Sequence, residues 1–217
     1  MSRELRKKTG RAADAGKRAA IIRAATSAFF AHGFAASSIE QIAADAGVSK
    51  VTIYNRFGDK RALFTAAVEE QCETLRGHFS IEDLPPGSLR QRLTAIGKAM
   101  VAFLSRPEMV QFERRIAAET EHEPEIGAAF LAAGPHRMKH AFAQFLRAMV
   151  AAKELKIADP ELAAEQFVSM CKGMGDLERR FGHPAGTARD NERIEGAVEV
   201  FCRAYADDGS KSEPSTA

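Results

Sequence analysis

The sequence has few cysteines and few large aromatic residues with polar groups, and it has no long apolar run. Its 217 residues include no tryptophan, two tyrosines and three cysteines, and Cys72, Cys171 and Cys202 form no CxxC pair. We expect buried, reduced thiols, with a metal or redox role as the alternative. No apolar run approaches membrane-spanning length, and the basic start lacks the apolar segment of a secretory signal. We therefore expect a cytoplasmic protein with no membrane partner.

Catalytic signatures are also missing. The sequence contains no nucleophile elbow, Walker loop, dinucleotide-binding glycine pattern or HExxH pair. His136 and His140 are four residues apart on a predicted helix, a spacing that suits a shared metal but more often leaves histidines in solvent. We therefore predict neither a cofactor nor a metal site. An enzyme on a helical scaffold stays an alternative, but it lacks a polar catalytic cluster.

Charge is divided unevenly along the chain. The whole sequence carries +2, whereas residues 1–64 contain 12 Lys or Arg against 5 Asp or Glu and so carry +7. The remaining residues carry −5. A positive field confined to one end suits binding to nucleic-acid phosphates. Residues 1–16 are predicted to form a flexible basic arm, which either reaches a minor groove or the DNA backbone or only keeps the protein soluble.

Residues 38–60 predict two short helices joined by a tight turn. Ser38 followed by Gln41 forms a capping box, in which the hydroxyl accepts from a free helix N–H and the amide reaches back to the cap. Gly47 supplies the turn, and Ser49 caps the second helix. Apolar residues four apart in that helix face inward, which leaves polar side chains on the outer face. The pattern predicts a helix-turn-helix motif whose outer face suits a DNA groove.

Helical signals recur to the end of the chain, and no segment alternates as a strand does. The predicted fold class is all-α. Residues 207–217 are expected to be a disordered tail.

The motif and its flanks match a family pattern. The matching residues, in order, are Ala24-Ala25, Phe29, Gly33-Phe34, Ile42-Ala43, Gly47-Val48-Ser49, Thr52-Ile53-Tyr54, Phe57, Lys60 and Leu63-Phe64. These residues and spacings resemble the TetR family of bacterial transcriptional regulators. The stretch 119–182 further resembles the AefR-like type of TetR C-terminal domain. The resemblance implies an N-terminal three-helix DNA-binding domain over residues 17–64. It also implies a helical effector-binding and dimerisation domain over residues 65–206.

In the resembled family the second helix of the motif enters the major groove. The resemblance therefore implies groove-facing side chains in that helix and a phosphate contact by Lys60. Val51 stands where a small residue or proline is frequent, and it suits a thymine methyl. Glu40 stands where a basic residue often reads bases, so it either accepts from cytosine or lies in solvent. The predicted DNA-binding residues are Ser38, Glu40, Gln41, Ser49, Lys50, Val51, Thr52, Tyr54, Asn55 and Lys60.

Two apolar sets occupy the C-terminal part. A methionine-rich and aromatic set either lines an effector pocket or forms plain core, and suits adaptable binding of apolar ligands. Its members are Met100, Phe103, Leu104, Met109, Phe112, Ile116, Phe142, Phe145, Met149, Phe167, Met170 and Met174. The resemblance makes the last two helices the dimer interface. The interface candidates are Ala163, Gly173, Gly175, Ile194, Val198, Phe201 and Tyr205.

We expect a homodimeric, ligand-responsive regulator that binds a palindromic double-stranded DNA operator. We expect repression, released by a small apolar or amphipathic effector, with activation as the alternative. An architectural DNA-binding protein without an effector is the rival to this interpretation, alongside the helical enzyme.

Overall fold

The computed structural model describes residues 2–76, 87–183 and 186–207. The helices are α1 Ser2–His32, α2 Ile39–Asp45, α3 Lys50–Phe57, α4 Lys60–Arg76, α5 Leu89–Leu104, α6 Pro107–Thr120, α7 Pro124–Ala133, α8 Pro135–Ala151, α9 Pro160–Arg180 and α10 Thr187–Tyr205. Within these ranges the only β-type pairing is an isolated antiparallel bridge between Leu155 and Ala206. The prediction of an all-α fold is confirmed.

The chain divides into two compact units. The first combines Met1–Glu73 with Pro107–Pro135, and the second combines Thr74–Arg106 with His136–Ala217. The first unit therefore contains α6 and α7 as well as the helix-turn-helix. The predicted boundary after residue 64 assigned all later helices to the C-terminal domain, and the structure divides them differently. The reason is aromatic packing that the local sequence pattern does not reveal.

Phe64 of α4 lies at the centre of the first unit. Its ring centroid is 5.3 Å from that of Phe29, 5.5 Å from that of Phe34 and 6.0 Å from that of Phe112. Phe112 of α6 also stacks on Phe30 at 4.2 Å, with the two ring planes 6° apart. Aromatic pairs at these distances add stabilisation beyond that of their buried area. α6 is thereby built into the same core as α1 and α4.

The N-terminal helix is longer than predicted. α1 begins at Ser2, well ahead of the predicted start at residue 17, so the backbone of the expected flexible arm is helical. Its alanines, lysines and arginines are strong helix formers, although they show no apolar periodicity. Asp14 then forms an ion pair with Arg56 of α3. The pKa of the Asp14 carboxyl is lowered, chiefly by its hydrogen bond from Arg56.

The second unit is built around phenylalanines from three helices, whose rings contact one another. Phe142 and Phe145 of α8 stack at 5.9 Å, and Phe167 of α9 contacts Phe142 at 5.2 Å and Phe201 of α10 at 5.3 Å. All four side chains are at most 2% exposed. Burial also raises the pKa of the Cys171 thiol in this core to about 12. The predicted buried, reduced state fits Cys171, which forms no disulfide.

Several predicted interface residues belong to this core instead. Ala163, Ile194, Val198 and Phe201 are 1%, 2%, 1% and 0% exposed within their own chain, so they cannot form a contact surface for a second chain. This part of the interface prediction is corrected. Helical periodicity identifies an apolar face, but it does not tell which chain covers that face.

The two predicted interface glycines have a different role. α9 is interrupted at Gly173, where the backbone is not helical, and Gly175 is buried against Arg193 of α10. A Cβ at Gly175 would lie 2.2 Å from Nη1 of Arg193. Arg193 and Arg179 both donate to Asp190, at 2.9 Å and 3.0 Å. Gly175 therefore makes room for an ion-pair cluster that joins α9 to α10.

The predicted disordered tail lies outside the described residues except for Asp207, whose N–H donates to the carbonyl of Glu154 at 3.2 Å. Among the described helices, none has both the length and the apolar character needed to cross a membrane.

Candidate DNA interface

The helix-turn-helix motif forms as α2, a turn and α3. Ser38 caps α2 by accepting from the N–H of Gln41 at 3.2 Å, and Ser49 caps α3 by accepting from the N–H of Thr52 at 3.2 Å. Gly47 in the turn has a φ of 65°, a conformation that glycine adopts without steric cost. Ile53 is fully buried and holds the inner side of α3 in the core. The remaining side of α3 is then available to DNA.

Only half of the predicted capping box at Ser38 forms. The Gln41 side chain does not return to the cap but donates to Asp45 at 2.8 Å, one helical turn ahead. The Ser38 hydroxyl donates to Glu40 at 3.2 Å. The complete box forms at Ser88 instead, at the start of α5. A competing acceptor at i+4 explains the difference, because an amide that donates to it is drawn away from the cap.

The outer face of α3 carries Val51, Tyr54 and Asn55. Val51 is 64% exposed, Tyr54 is 40% exposed, and Asn55 is also exposed. Their i, i+3 and i+4 spacing aligns them on one side of the helix. Thr52 is half-buried, and its hydroxyl pairs with that of Ser49 at 2.9 Å. Three neighbouring side chains of different chemistry are thus presented together, as reading of base edges requires.

Lys50 and Glu40 form an ion pair between α3 and α2. The hydrogen bond from Lys50 lowers the pKa of the Glu40 carboxyl, and the same bond raises the pKa of the Lys50 amine. The Lys50 ammonium also lies 5.8 Å from the centre of the Tyr54 ring. The two alternatives considered for Glu40, solvent or cytosine, both omitted this partner. Glu40 neutralises and orients a cation at the edge of the outer face.

Lys60 of α4 contacts the turn that precedes α2, within the first unit. Its ammonium donates to the carbonyl of Ala35 at 3.1 Å and lies 4.6 Å from the centre of the Phe34 ring. Burial lowers the pKa of the Lys60 amine, while the nearby carboxylates of Glu119 and Glu123 act in the opposite direction. The structure thus gives Lys60 partners in the turn before α2, which the phosphate-contact interpretation did not include.

The sequence interpretation missed two residues of α6 that hold this turn. Glu119 accepts from the backbone N–H of Phe34 and of Ala35, both at 3.1 Å. Arg115 donates to the carbonyl of Phe30. No sequence signal could have found these bonds, because the bonded residues are 84 or 85 positions apart.

The predicted effector residues separate between the two units. Met109, Phe112 and Ile116 are buried in the first unit, and the other candidates lie in the second. Met174 is 60% exposed. Of the two histidines considered for a metal, His140 contacts Glu161 and Gln144, each at 3.0 Å. Within the described ranges, no three His, Cys, Asp or Glu side chains are grouped to hold a metal ion.

Comparison with known families decides the identity of the chain. Residues 21–67 match the family described as bacterial regulatory proteins, tetR family. Residues 91–207, more than half of the chain, match the AefR-like transcriptional repressor, C-terminal domain. The chain belongs to the TetR family. The predicted resemblance, including the AefR-like type of C-terminal domain, is confirmed.

Solved structures of TetR-family regulators are similar to this chain over most of its length. A TetR-family transcriptional regulator from Mesorhizobium loti MAFF303099 is 27% identical with a TM-score of 0.75, over 88% of this chain and 98% of that one. The flavonoid-responsive regulator FrrA is 33% identical with a TM-score of 0.69, over 88% of this chain and 97% of its own. The uncharacterized HTH-type transcriptional regulator YezE of Bacillus subtilis (strain 168) is 25% identical over 115 residues. That match spans 52% of this chain and 59% of YezE.

TetR-family membership makes this protein a DNA-binding transcriptional regulator and not an enzyme. The helix-turn-helix described above is the family's DNA-binding element.

The ion pair to Lys50 predicts the effect of Glu40→Gln on DNA binding. Because the substitution releases the Lys50 ammonium, we expect tighter binding to all DNA sequences and a steeper salt dependence. The slope of log affinity against log salt should grow by about 0.9 if Lys50 gains one phosphate contact. Fluorescence anisotropy with operator and scrambled duplexes, between about 50 and 200 mM salt, measures the two affinities and the salt slope.

Asp45→Asn is the matched control, because it removes a carboxylate from α2 without touching Lys50. It should change the field slightly and leave the salt slope near that of the wild type. A loss of affinity in Glu40→Gln confined to operators with one particular base pair would instead identify Glu40 as a direct base contact.

Proposed function

We propose that this TetR-family regulator is a repressor that binds a two-fold operator as a homodimer through α3. A small amphipathic effector releases it from DNA. The observation that carries the proposal is the outer face of α3, with Val51, Tyr54 and Asn55 exposed above a fully buried Ile53. This face belongs to the N-terminal part of the chain, which carries the +7 charge. The proposed place of action is the cytoplasm, where the operator lies.

Each outer side chain of α3 has a role that its chemistry supports. Asn55 can bind adenine through two hydrogen bonds, and Val51 can contact a thymine methyl group. The hydroxyl of Tyr54 suits a phosphate oxygen. A good base contact contributes about 1–3 kcal/mol of discrimination against the wrong base. Lys50, oriented by Glu40, supplies the cation nearest to this set.

The proposed dimer surface is the exposed apolar face of α9 and α10. Met174, Leu177 and Phe181 are 60%, 46% and 76% exposed, and Val200 of α10 is 55% exposed. The first three residues are spaced i, i+3 and i+7, so they form one stripe after the interruption at Gly173. A contiguous apolar stripe on a surface marks a contact site. A second copy of the chain is the occupant that a two-fold operator requires.

Leu177→Glu should yield a folded monomer that binds the operator weakly. A charge in the stripe opposes association but leaves the core of the second unit intact, because Leu177 is outside it. Leu131→Glu is the control, since Leu131 of α7 is 45% exposed and lies in the other unit. Analytical ultracentrifugation at micromolar concentration distinguishes monomers from dimers. At that concentration, dimers with a dissociation constant of about 10⁻⁷ M persist. A wild-type monomer, or equal dimers in both variants, would contradict this interface.

An aromatic, amphipathic effector is proposed on two grounds. FrrA, which is 33% identical over 88% of this chain, is named as flavonoid-responsive. In this chain, Phe103 at the end of α5 is half-buried beside the core of the second unit, and the Arg106 guanidinium lies 4.4 Å from its ring centre. A half-buried aromatic ring paired with a cation suits a planar phenolic ligand. Leu104 and Met170 are also partly buried against this core, whereas Phe142, Phe145 and Phe167 are closed within it.

The flavone apigenin should bind and lower operator affinity, and the two ligands should oppose each other reciprocally. The coupling is expected at about 1–3 kcal/mol, so operator DNA should weaken apigenin by the same factor. Phe103→Ala should weaken apigenin binding and lower the melting temperature less than truncation of a fully buried phenylalanine does, because Phe103 is only partly buried against the core. Phe145→Ala should instead lower stability by about 3–5 kcal/mol, because it empties a core position.

Calorimetry for apigenin, with and without operator DNA, measures both factors. If apigenin raises the melting temperature but leaves operator affinity unchanged, release by this ligand class is wrong. If apigenin does not bind, the effector belongs to another chemical class, and the flavonoid proposal fails.

A further inference from the structure

The turn between α1 and α2, residues 33–38, determines where the helix-turn-helix begins. α1 ends with the bond from the N–H of Gly33 to the carbonyl of Phe29, at 2.8 Å. At the other end of the turn, Ser38 is the N-cap of α2. Any shift of the turn therefore moves the start of α2, and α3 follows α2 through a short connection.

Two side chains of α6 complete the end of α1. If α1 continued, the N–H of Phe34 would donate to the carbonyl of Phe30. The N–H of Phe34 donates to Glu119 instead, at 3.1 Å, and the carbonyl of Phe30 accepts from Arg115. Both partners of the missing helix bond are thus satisfied by residues one turn apart on α6. Helix ends leave such groups unsatisfied, and here another helix supplies the bonds.

The same turn is held from a second side. Glu119 also accepts from the N–H of Ala35, at 3.1 Å, while the carbonyl of Ala35 accepts from Lys60 of α4, at 3.1 Å. The Lys60 ammonium lies 4.6 Å from the ring centre of Phe34. Hydrogen bonds to charged groups are stronger than those between neutral groups. Phe34 and Ala35 are therefore positioned by one carboxylate and one ammonium from two different helices.

Gly33 is fitted to this carboxylate. A Cβ at Gly33 would lie 2.2 Å from Oε1 of Glu119 and 3.5 Å from Cβ of Arg115, and the φ of 83° also disfavours any side chain. The absence of a side chain lets Glu119 approach two successive backbone N–H groups. All of these residues belong to the first unit.

We propose that Glu119 is a positioning residue for operator recognition: it sets the α1–α2 turn, and through it the placement of α2 and α3. This inference rests on the proposed binding of DNA by α3. Glu119 is carried by α6, which follows α5 in the chain, and α5 belongs to the second unit. Operator affinity therefore depends on the position of α6 as well as on that of α4.

Glu119→Ala tests the proposal with two duplexes, an operator fragment selected from random DNA and a scrambled fragment of the same composition. The ratio of the two affinities should fall at least tenfold, because α3 is misplaced. The affinity for scrambled DNA and its salt slope should stay near wild type, since no phosphate contact is removed. Glu108→Ala removes a carboxylate from an exposed position on the same helix, and it should leave the ratio unchanged.

Two further variants separate positioning from loss of folding. Glu119→Gln keeps an acceptor oxygen without the charge, so it should lower the ratio less than Glu119→Ala. Gly33→Ala should lower the ratio as Glu119→Ala does, and the double variant should lose little more than either single one, because both act on one contact.

The outcomes decide between the alternatives. An unchanged ratio in Glu119→Ala and Glu119→Gln would overturn the proposal. Equal losses for operator and scrambled DNA, with a lower melting temperature, would overturn it as well, because Glu119 would then only stabilise the unit. A wild type that does not distinguish the two duplexes would instead refute the proposed function, and it would do so before any variant is compared.

Discussion

The packing of aromatic rings around Phe64 is the constraint on which the DNA-binding unit depends. Phe29, Phe34 and Phe112 come from α1, the following turn and α6, and all three meet the same ring. Because α6 is part of this core, Arg115 and Glu119 are held where the backbone of the α1–α2 turn can reach them. Apolar contacts around Phe64 thus hold α6 in place, and Arg115 and Glu119 of α6 hold the turn from which α2 and α3 follow.

Most charged groups of the helix-turn-helix already have protein partners. Lys50 is paired with Glu40, Arg56 with Asp14, and Lys60 with the carbonyl of Ala35. The exposed pairs contribute little to stability, because water screens them, and DNA phosphates can compete with them. The pairs therefore orient the cations before binding without preventing a change of partner. In the proposed complex, discrimination between sequences then falls to Val51 and Asn55, the neutral side chains proposed to contact bases.

Features set by neighbouring residues were predictable from the sequence. Three helix caps illustrate this, those at Ser49, Asp59 and Asp159. Asp59, for example, accepts from the N–H of Ala62 at 2.7 Å. All three caps involve bonds between residues two or three positions apart. The all-α class followed from the same local signals. The prediction that the Gln41 side chain returns to the Ser38 cap was wrong, because the Gln41 amide donates to the nearby Asp45 instead.

Features set by distant residues were not predictable. Phe112 was a candidate for an effector pocket, but its ring stacks on Phe30 and packs at a tilt against Phe64. Spacing within α6 cannot reveal those partners. Phe201 was a candidate for the dimer interface, but it is covered by its own chain. Periodicity shows that a face is apolar and does not show what covers it. The bonds of Glu119 depend on a fold that joins residues about 85 positions apart.

Binding of DNA by a dimer through α3 can be tested by selecting bound duplexes from a random DNA pool with the purified protein. One inverted repeat should be enriched, with half-site centres about 10 base pairs or a multiple apart, as two α3 helices related by a two-fold axis require. Enrichment of a single unrepeated site, or of no sequence above the starting pool, would contradict a dimeric regulator that reads its operator through α3.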